Sequence, residues 1–150
     1  MSNPSIPKTI LCIDDDDGEL EYQKVLLERR GYAVLTARSA RQGLQMAAAC
    51  VLAAVIVDYH MPEMNGHEVA TEIKRITPQV PIVMVSSDKG IREQALQVVD
   101  AFLPKDEAPK GLWPVIAQIC GDGPSITPSQ LASFSRNCES AAQITKSVQT

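Results

Sequence analysis

The stretch that decides the fold reads LAAVIVDYHMPEMNG, residues 52–66. Its first part, Leu52 to Val57, is apolar at every position, which is typical of a parallel strand covered by helices on both faces. Asp58 follows this run directly, and Asn65-Gly66 is a turn signal before the next helical pattern. The stretch therefore predicts a buried strand that carries a carboxylate at its end, then a loop and a helix.

Four further apolar runs alternate with helix-like segments. They are Ile10 to Ile13, Ala33 to Ala37, Pro81 to Val85 and Ala101 to Leu103. Five strand–helix units in series predict an α/β fold with a doubly wound, five-stranded parallel sheet, because right-handed crossovers place helices on both faces. In the last helical pattern, Pro114 must either distort the helix or mark its start.

Polar side chains follow four of the five predicted strands. The first strand runs into Asp14-Asp15-Asp16-Asp17, the third into Asp58, the fourth into Ser86-Ser87-Asp88, and the fifth is followed by Lys105. In open parallel sheets, ligands bind outside the carboxyl ends of the strands, so these groups are expected to converge. Clustered carboxylates repel one another and favour a hard, oxygen-seeking cation such as Mg²⁺.

Each of these residues taken alone has an ordinary structural explanation. An aspartate run before a helix is usually a solvated N-cap, and a single Asp, Ser or Lys at a strand end is usually a turn residue. The occurrence of all these residues at the ends of different strands favours a functional site over separate turn residues. A cation and the Lys105 ammonium would together neutralise a phosphoryl group transferring to Asp58, a reaction that depends on positioning and electrostatics.

The motifs closely resemble the receiver domain of two-component response regulators. The resemblance rests on Ile-Asp-Asp at 13–15, Val-Asp-Tyr-His-Met-Pro-Glu-Met-Asn-Gly at 57–66, Val-Ser-Ser at 85–87 and Phe-Leu-Pro-Lys at 102–105. It covers about residues 8–120 and implies a flavodoxin-like receiver fold. It also implies that Asp58 accepts a phosphoryl group from a histidine kinase or a phosphotransfer protein.

The resemblance further implies a Mg²⁺ cofactor. Asp15 and Asp58 would be direct ligands together with the backbone carbonyl of His60, and Asp14 would act through a water molecule. The imidazole of His60 is expected to point to solvent, since Mg²⁺ prefers oxygen.

Three more roles follow from the resemblance. Lys105 would pair with the acceptor carboxylate and then with phosphoryl oxygens, and Ser86 would swing toward the phosphoryl group on activation. Phe102 occupies the position of an aromatic that turns inward as that hydroxyl moves.

Two features depart from the family pattern. Asp106 follows Lys105 where proline is usual, so it is expected to compete for the Lys105 charge. The stretch from Ser86 to Lys105 is also a few residues short, which predicts a truncated or displaced helix before the fifth strand. Because that helix belongs to the signalling surface of family members, the partner interface is expected to be unusual.

Two alternatives stay open. One is a receiver-like docking module that works without phosphorylation. The other is an aspartate-nucleophile phosphatase of the haloacid dehalogenase type, which wants a second Asp two residues after the nucleophile, where this chain has His60.

Composition bounds the remaining classes. The net charge of −4 argues against nucleic-acid binding, and no apolar run approaches a membrane span. Four scattered cysteines, with no secretory signal, predict a reducing cytoplasm.

Beyond the receiver segment, the organisation is predicted from turn and capping signals. Residues 1–7 form an N-terminal arm, residues 8–120 the receiver domain, residues 121–127 a linker and residues 128–148 a helix. That helix would pack on the receiver, or on a second copy to give a homodimer; the alternative left open is a helix that is frayed in solution. With about thirty residues left after position 120, a stand-alone regulator is expected, which either acts on an unidentified downstream protein or passes the phosphoryl group onward in a relay.

Overall fold

The computed structural model describes residues 6–122 and confirms the predicted fold class. The strands are β1 (Thr9–Ile13), β2 (Ala33–Ala37), β3 (Ala54–Asp58), β4 (Ile82–Ser86) and β5 (Ala101–Pro104). They form one sheet in the order β2-β1-β3-β4-β5, and every pairing is parallel. The order reverses beside β1, which places the switch point between β1 and β3.

Five helices alternate with the strands in the described part of the chain. They are α1 (Asp17–Glu28), α2 (Ala40–Ala49), α3 (Gly66–Ile76), α4 (Arg92–Ala95) and α5 (Ala108–Cys120). Short 3₁₀ helices, Lys89–Ile91 and Lys105–Glu107, precede α4 and α5. The helix before β5 is therefore a single turn, as the short spacing predicted.

The sheet separates two apolar clusters, and alternate residues of each strand enter opposite clusters. In β1, Leu11 and Ile13 pack with α2 and α3 on one side, while Ile10 and Cys12 pack with α1 and α5 on the other. This explains why the strand sequences are apolar without alternation. Each fully buried leucine or isoleucine contributes roughly 1.5–3 kcal/mol through removal of apolar surface from water.

Several element boundaries differ from the sequence prediction, and two of these differences have a clear physical reason. The third strand begins at Ala54, because Leu52 and Ala53 form the partly buried turn that leads into it. The last helix begins at Ala108, with Pro109 in its first turn, where a missing N–H costs little. Pro114 lies inside this helix and does not mark its start.

The predicted tail helix, residues 128–148, lies outside the described residues, as do most of the predicted linker and most of the N-terminal arm. In the part that the structure describes, no helix combines the length and apolar character needed to cross a membrane.

Candidate functional site

A cluster of carboxylates lies at the carboxyl ends of the two neighbouring strands β1 and β3. Asp14 and Asp15 follow β1, and Asp58 is the last residue of β3. One carboxylate oxygen from each residue lies within 4.8 Å of the others. Asp14 and Asp58 are only 1% and 4% exposed, whereas Asp15 is open to solvent. The sheet therefore brings together the three aspartates that were predicted to bind metal.

The electrostatics of the cluster indicate that positive charge is needed. The pKa of Asp14 is raised to about 7, mainly by burial and further by the Asp58 carboxylate, against the lowering effect of a hydrogen bond from the Asp16 amide. Burial also raises the pKa of Asp58, against the opposing effect of the Lys105 ammonium. Asp14 Oδ2 is buried without a hydrogen-bond partner among the described residues. An oxygen ligand without a partner, beside repelling carboxylates, fits a hard divalent cation.

Lys105 supplies the nearest fixed cation. It follows directly after β5, and its Nζ lies 3.0 Å from Asp58 Oδ1 and 4.0 Å from Asp14 Oδ2. Burial lowers the pKa of Lys105, but its partners Asp58 and Asp14 outweigh this effect, so the pKa is raised overall. The ammonium therefore stays charged against the buried Asp58 carboxylate.

Ser86 and Phe102 lie on the strands next to this cluster. Ser86 ends β4 with no exposed surface, and its Oγ accepts a hydrogen bond of 3.0 Å from the backbone N–H of Asp88. Phe102, on β5, is also fully buried and belongs to the apolar cluster on the α2, α3 side. In this structure the aromatic ring is therefore already directed inward.

His60 is exposed, as expected for its ring. The imidazole meets the Tyr59 ring edge to face, with 4.9 Å between the ring centroids. No imidazole nitrogen joins the carboxylate cluster in the described part of the chain.

The aspartate run after β1 divides into two pairs. Asp14 and Asp15 join the cluster. Asp16 caps α1 by accepting hydrogen bonds from the Gly18 and Glu19 amides, and Asp17 pairs with Arg38 at 2.8 Å. The N-cap explanation is therefore correct for Asp16, and the metal-site explanation is supported for its two predecessors.

The loop after β3 returns to the end of that strand through a close backbone contact, in which the Gly66 N–H donates to the Tyr59 carbonyl at 2.8 Å. A Cβ at Gly66 would lie 2.5 Å from the Asp58 carbonyl oxygen, so only glycine allows this approach. Asn65 and Glu68 form a capping box at the start of α3. The Asn-x-x-Glu spacing was a visible signal for this cap.

One expectation about the lysine loop is wrong. Asp106 does not compete for Lys105; its carboxylate points to the loop after β4 and pairs with Lys89 at 3.2 Å. The backbone around Lys105 is trans throughout, since the described residues contain no cis peptide bond. Asp106 lies in the middle of the short 3₁₀ helix Lys105–Glu107, and its carboxylate pairs with the other loop instead of with the preceding ammonium.

The chain is similar in sequence to known proteins. The family model for the response regulator receiver domain matches residues 10–117. Transcriptional regulatory protein GlrR of Escherichia coli (strain K12) is 31% identical over 113 residues, which are 73% of this chain and 26% of GlrR. Response regulator MprA of Mycolicibacterium vanbaalenii is 29% identical over 103 residues, which are 67% of this chain and 45% of MprA. The chain thus spans less than half the length of these two relatives.

Solved structures of receiver domain proteins are also similar to this chain. A response regulator receiver domain protein from Clostridium thermocellum superposes with a TM-score of 0.70 at 30% identity, over 76% of this chain and 94% of that one. Response regulator protein TrrA from Thermotoga maritima, in complex with Mg²⁺ and BeF, gives a TM-score of 0.71 at 26% identity, over 75% and 98%.

Proposed function

This chain belongs to the response regulator receiver domain family, and we propose that it accepts a phosphoryl group on Asp58 in a Mg²⁺-dependent reaction and thereby switches a protein partner. Receiver domains are signalling switches that take phosphoryl groups from histidine kinases, rather than classical enzymes. The observation that carries the proposal is the buried Asp58 carboxylate, held 3.0 Å from the Lys105 ammonium within a three-aspartate cluster.

Asp58 is the nucleophile of the proposed reaction. One carboxylate oxygen attacks the phosphorus of a phosphohistidine or a small phosphodonor, the bond from phosphorus to the donor breaks, and an acyl phosphate forms. Its burial beside Lys105 gives the carboxylate one fixed orientation, which favours an in-line approach. The Lys105 ammonium pairs with the carboxylate first and with the phosphoryl oxygens afterwards.

Asp14, Asp15 and Asp58 would hold the metal ion, with the His60 carbonyl as a further oxygen ligand. A bound Mg²⁺ would supply positive charge against the phosphoryl oxygens. Its presence in TrrA, which is similar in fold and 26% identical, supports this assignment. The Ser86 hydroxyl is the remaining donor for a phosphoryl oxygen, and Phe102, buried on the neighbouring strand β5, is the proposed aromatic partner of that switch.

Labelling with a small phosphodonor tests the proposal. Incubation of the full chain with acetyl phosphate and Mg²⁺ should give a single phosphoryl adduct by intact-mass spectrometry, stable in acid and labile in base. The same mixture with excess chelator should give at least about tenfold less adduct, since the carboxylates alone repel the donor. A chain that shows no adduct under either condition would contradict the proposal.

Without metal, the buried carboxylate cluster is expected to lower the free energy of unfolding of the chain. A carboxyl group whose pKa is raised on folding binds its proton more tightly in the folded chain, so stability falls as the pH rises from about 4 to about 7. We expect Asp14→Asn to stabilise the metal-free chain by roughly 2–4 kcal/mol at pH 8, and by progressively less as the pH falls through that window.

Urea unfolding at pH 8 and pH 4.5, in chelator, measures this difference. Asp17→Asn is the matched control, because Asp17 is exposed and lies outside the cluster. Added Mg²⁺ should narrow the gap between Asp14→Asn and the parent. Equal stability of the two proteins at pH 8 without metal would contradict the expected cost of burying the charged Asp14 carboxylate.

A further inference from the structure

An ion pair joins the loop after β4 to the loop after β5. Lys89 opens the 3₁₀ helix that follows β4, and Asp106 lies in the 3₁₀ helix that follows β5. Their charged atoms are 3.2 Å apart. The two loops carry the hydroxyl of Ser86 and the ammonium of Lys105, which the proposed function assigns to the phosphoryl group.

Hydrogen bonds link Ser86 to the turn that contains Lys89. Ser86 Oγ accepts from the Asp88 N–H at 3.0 Å, and Asp88 Oδ1 accepts from the Gly90 N–H at 2.9 Å, which caps the turn that begins with Lys89. The Ser86 hydroxyl thus uses a lone pair within the loop and keeps its proton for another acceptor.

The second loop connects Asp106 to the ammonium more directly. Asp106 is the next residue after Lys105, and both belong to the same 3₁₀ helix. A force that holds the Asp106 carboxylate toward Lys89 therefore also limits the movement of the backbone that carries the Lys105 side chain.

We propose that Lys89 and Asp106 are positioning residues. Their ion pair holds the Ser86 hydroxyl and the Lys105 ammonium at fixed positions relative to the Asp58 carboxylate. This inference rests on the proposed function. It also gives a role to Asp106 where the family usually has proline: a contact between side chains restrains the loop in place of a rigid ring. Donors that are fixed before the reaction stabilise transferring charge better than donors that must first be ordered.

The expected effects are modest because the side chains of the pair are 61% and 67% exposed. Asp106→Asn and Lys89→Met should each slow phosphorylation by acetyl phosphate in Mg²⁺ by about two- to fivefold. The charge-swapped variant, Lys89→Asp with Asp106→Lys, should recover most of the parent rate. Glu72→Gln, which breaks the exposed Arg75–Glu72 pair on α3, is the matched control and should leave the rate unchanged.

The signs of the two single substitutions separate positioning from simple charge. Suppose that the two charges acted only through their long-range electrostatic attraction or repulsion of the anionic acetyl phosphate. Removing the negative charge of Asp106 would then speed phosphorylation, and removing the positive charge of Lys89 would slow it. Positioning predicts slowing in both cases. It also predicts that the ratio of parent to variant rates falls toward one as salt is raised, since exposed ion pairs are screened.

Three outcomes decide the matter. Slowing in both single variants with recovery in the swap supports the inference. A parent that labels normally, with both single variants at the parent rate or changed in opposite directions, overturns the inference and leaves the proposed function intact. A parent that takes no label removes the proposed function and this inference together.

Discussion

Asp58→Asn is expected to abolish phosphoryl labelling. The substitution keeps the shape of the side chain but removes the nucleophilic oxygen, and no other carboxylate in the described cluster has the same contact with Lys105 at 3.0 Å. Intact-mass spectrometry after incubation with acetyl phosphate and Mg²⁺ should show less than about a hundredth of the parent adduct.

The fold should survive this change, because Asp58 is at the end of β3 and the strand ladders do not use its side chain. Circular dichroism at matched concentration checks this point. Asp17→Asn is again the control and should label like the parent. An Asp58→Asn protein that is folded and still labels fully would show that the acceptor is a different residue.

Lys105→Ala should produce the second large effect. Without the ammonium, the buried carboxylates of Asp58 and Asp14 lose their nearest fixed cation, and the transferring phosphoryl group loses a donor. We expect phosphorylation to slow by about a hundredfold, since removing one such donor costs roughly that much in other enzymes. Lys110→Ala, on the exposed side of α5, is the control for loss of one positive charge.

Lys105→Ala should also separate phosphorylation from the structural response. In the parent, amide chemical shifts near Ser86 and Phe102 should move when the acyl phosphate forms. In the variant, slow labelling carried to completion should leave these shifts close to those of the unlabelled protein. Equal shift changes in both proteins would mean that Lys105 does not couple the phosphoryl group to the β4 and β5 strands.

The sequence predicted the sheet well because each strand contains a mainly apolar run between turn signals, interrupted inside the run only by Thr36 in β2. The runs ending before Asp14 and Asp58 are buried from both sides, so their pattern depends little on tertiary detail. The convergence of Asp14, Asp58 and Lys105 followed from the topology of a parallel sheet, which places carboxyl strand ends at one edge.

The loop contacts were less predictable. Which partner a loop side chain binds depends on distances in the folded chain, and the sequence does not give these distances. Asp106 was expected beside its neighbour Lys105, yet it pairs with Lys89, which is distant in sequence. The closeness of Gly66 to the Asp58 carbonyl likewise depends on how the loop returns to the sheet. The role of Pro114 was also undecided from the sequence, which allowed it either to distort the last helix or to mark its start. In the structure the helix begins at Ala108, with Pro109 in its first turn, and Pro114 lies inside it.

Locating the phosphoryl group on the chain tests the central claim most directly. Borohydride reduces an aspartyl phosphate to homoserine, so reduction after labelling marks the acceptor permanently. Peptide sequencing by mass spectrometry should find homoserine at position 58 when acetyl phosphate and Mg²⁺ were both present, and aspartate there when either was omitted. Homoserine at another position, or an unmodified Asp58 in protein that carries the adduct, would contradict the assignment of Asp58 as phosphoacceptor.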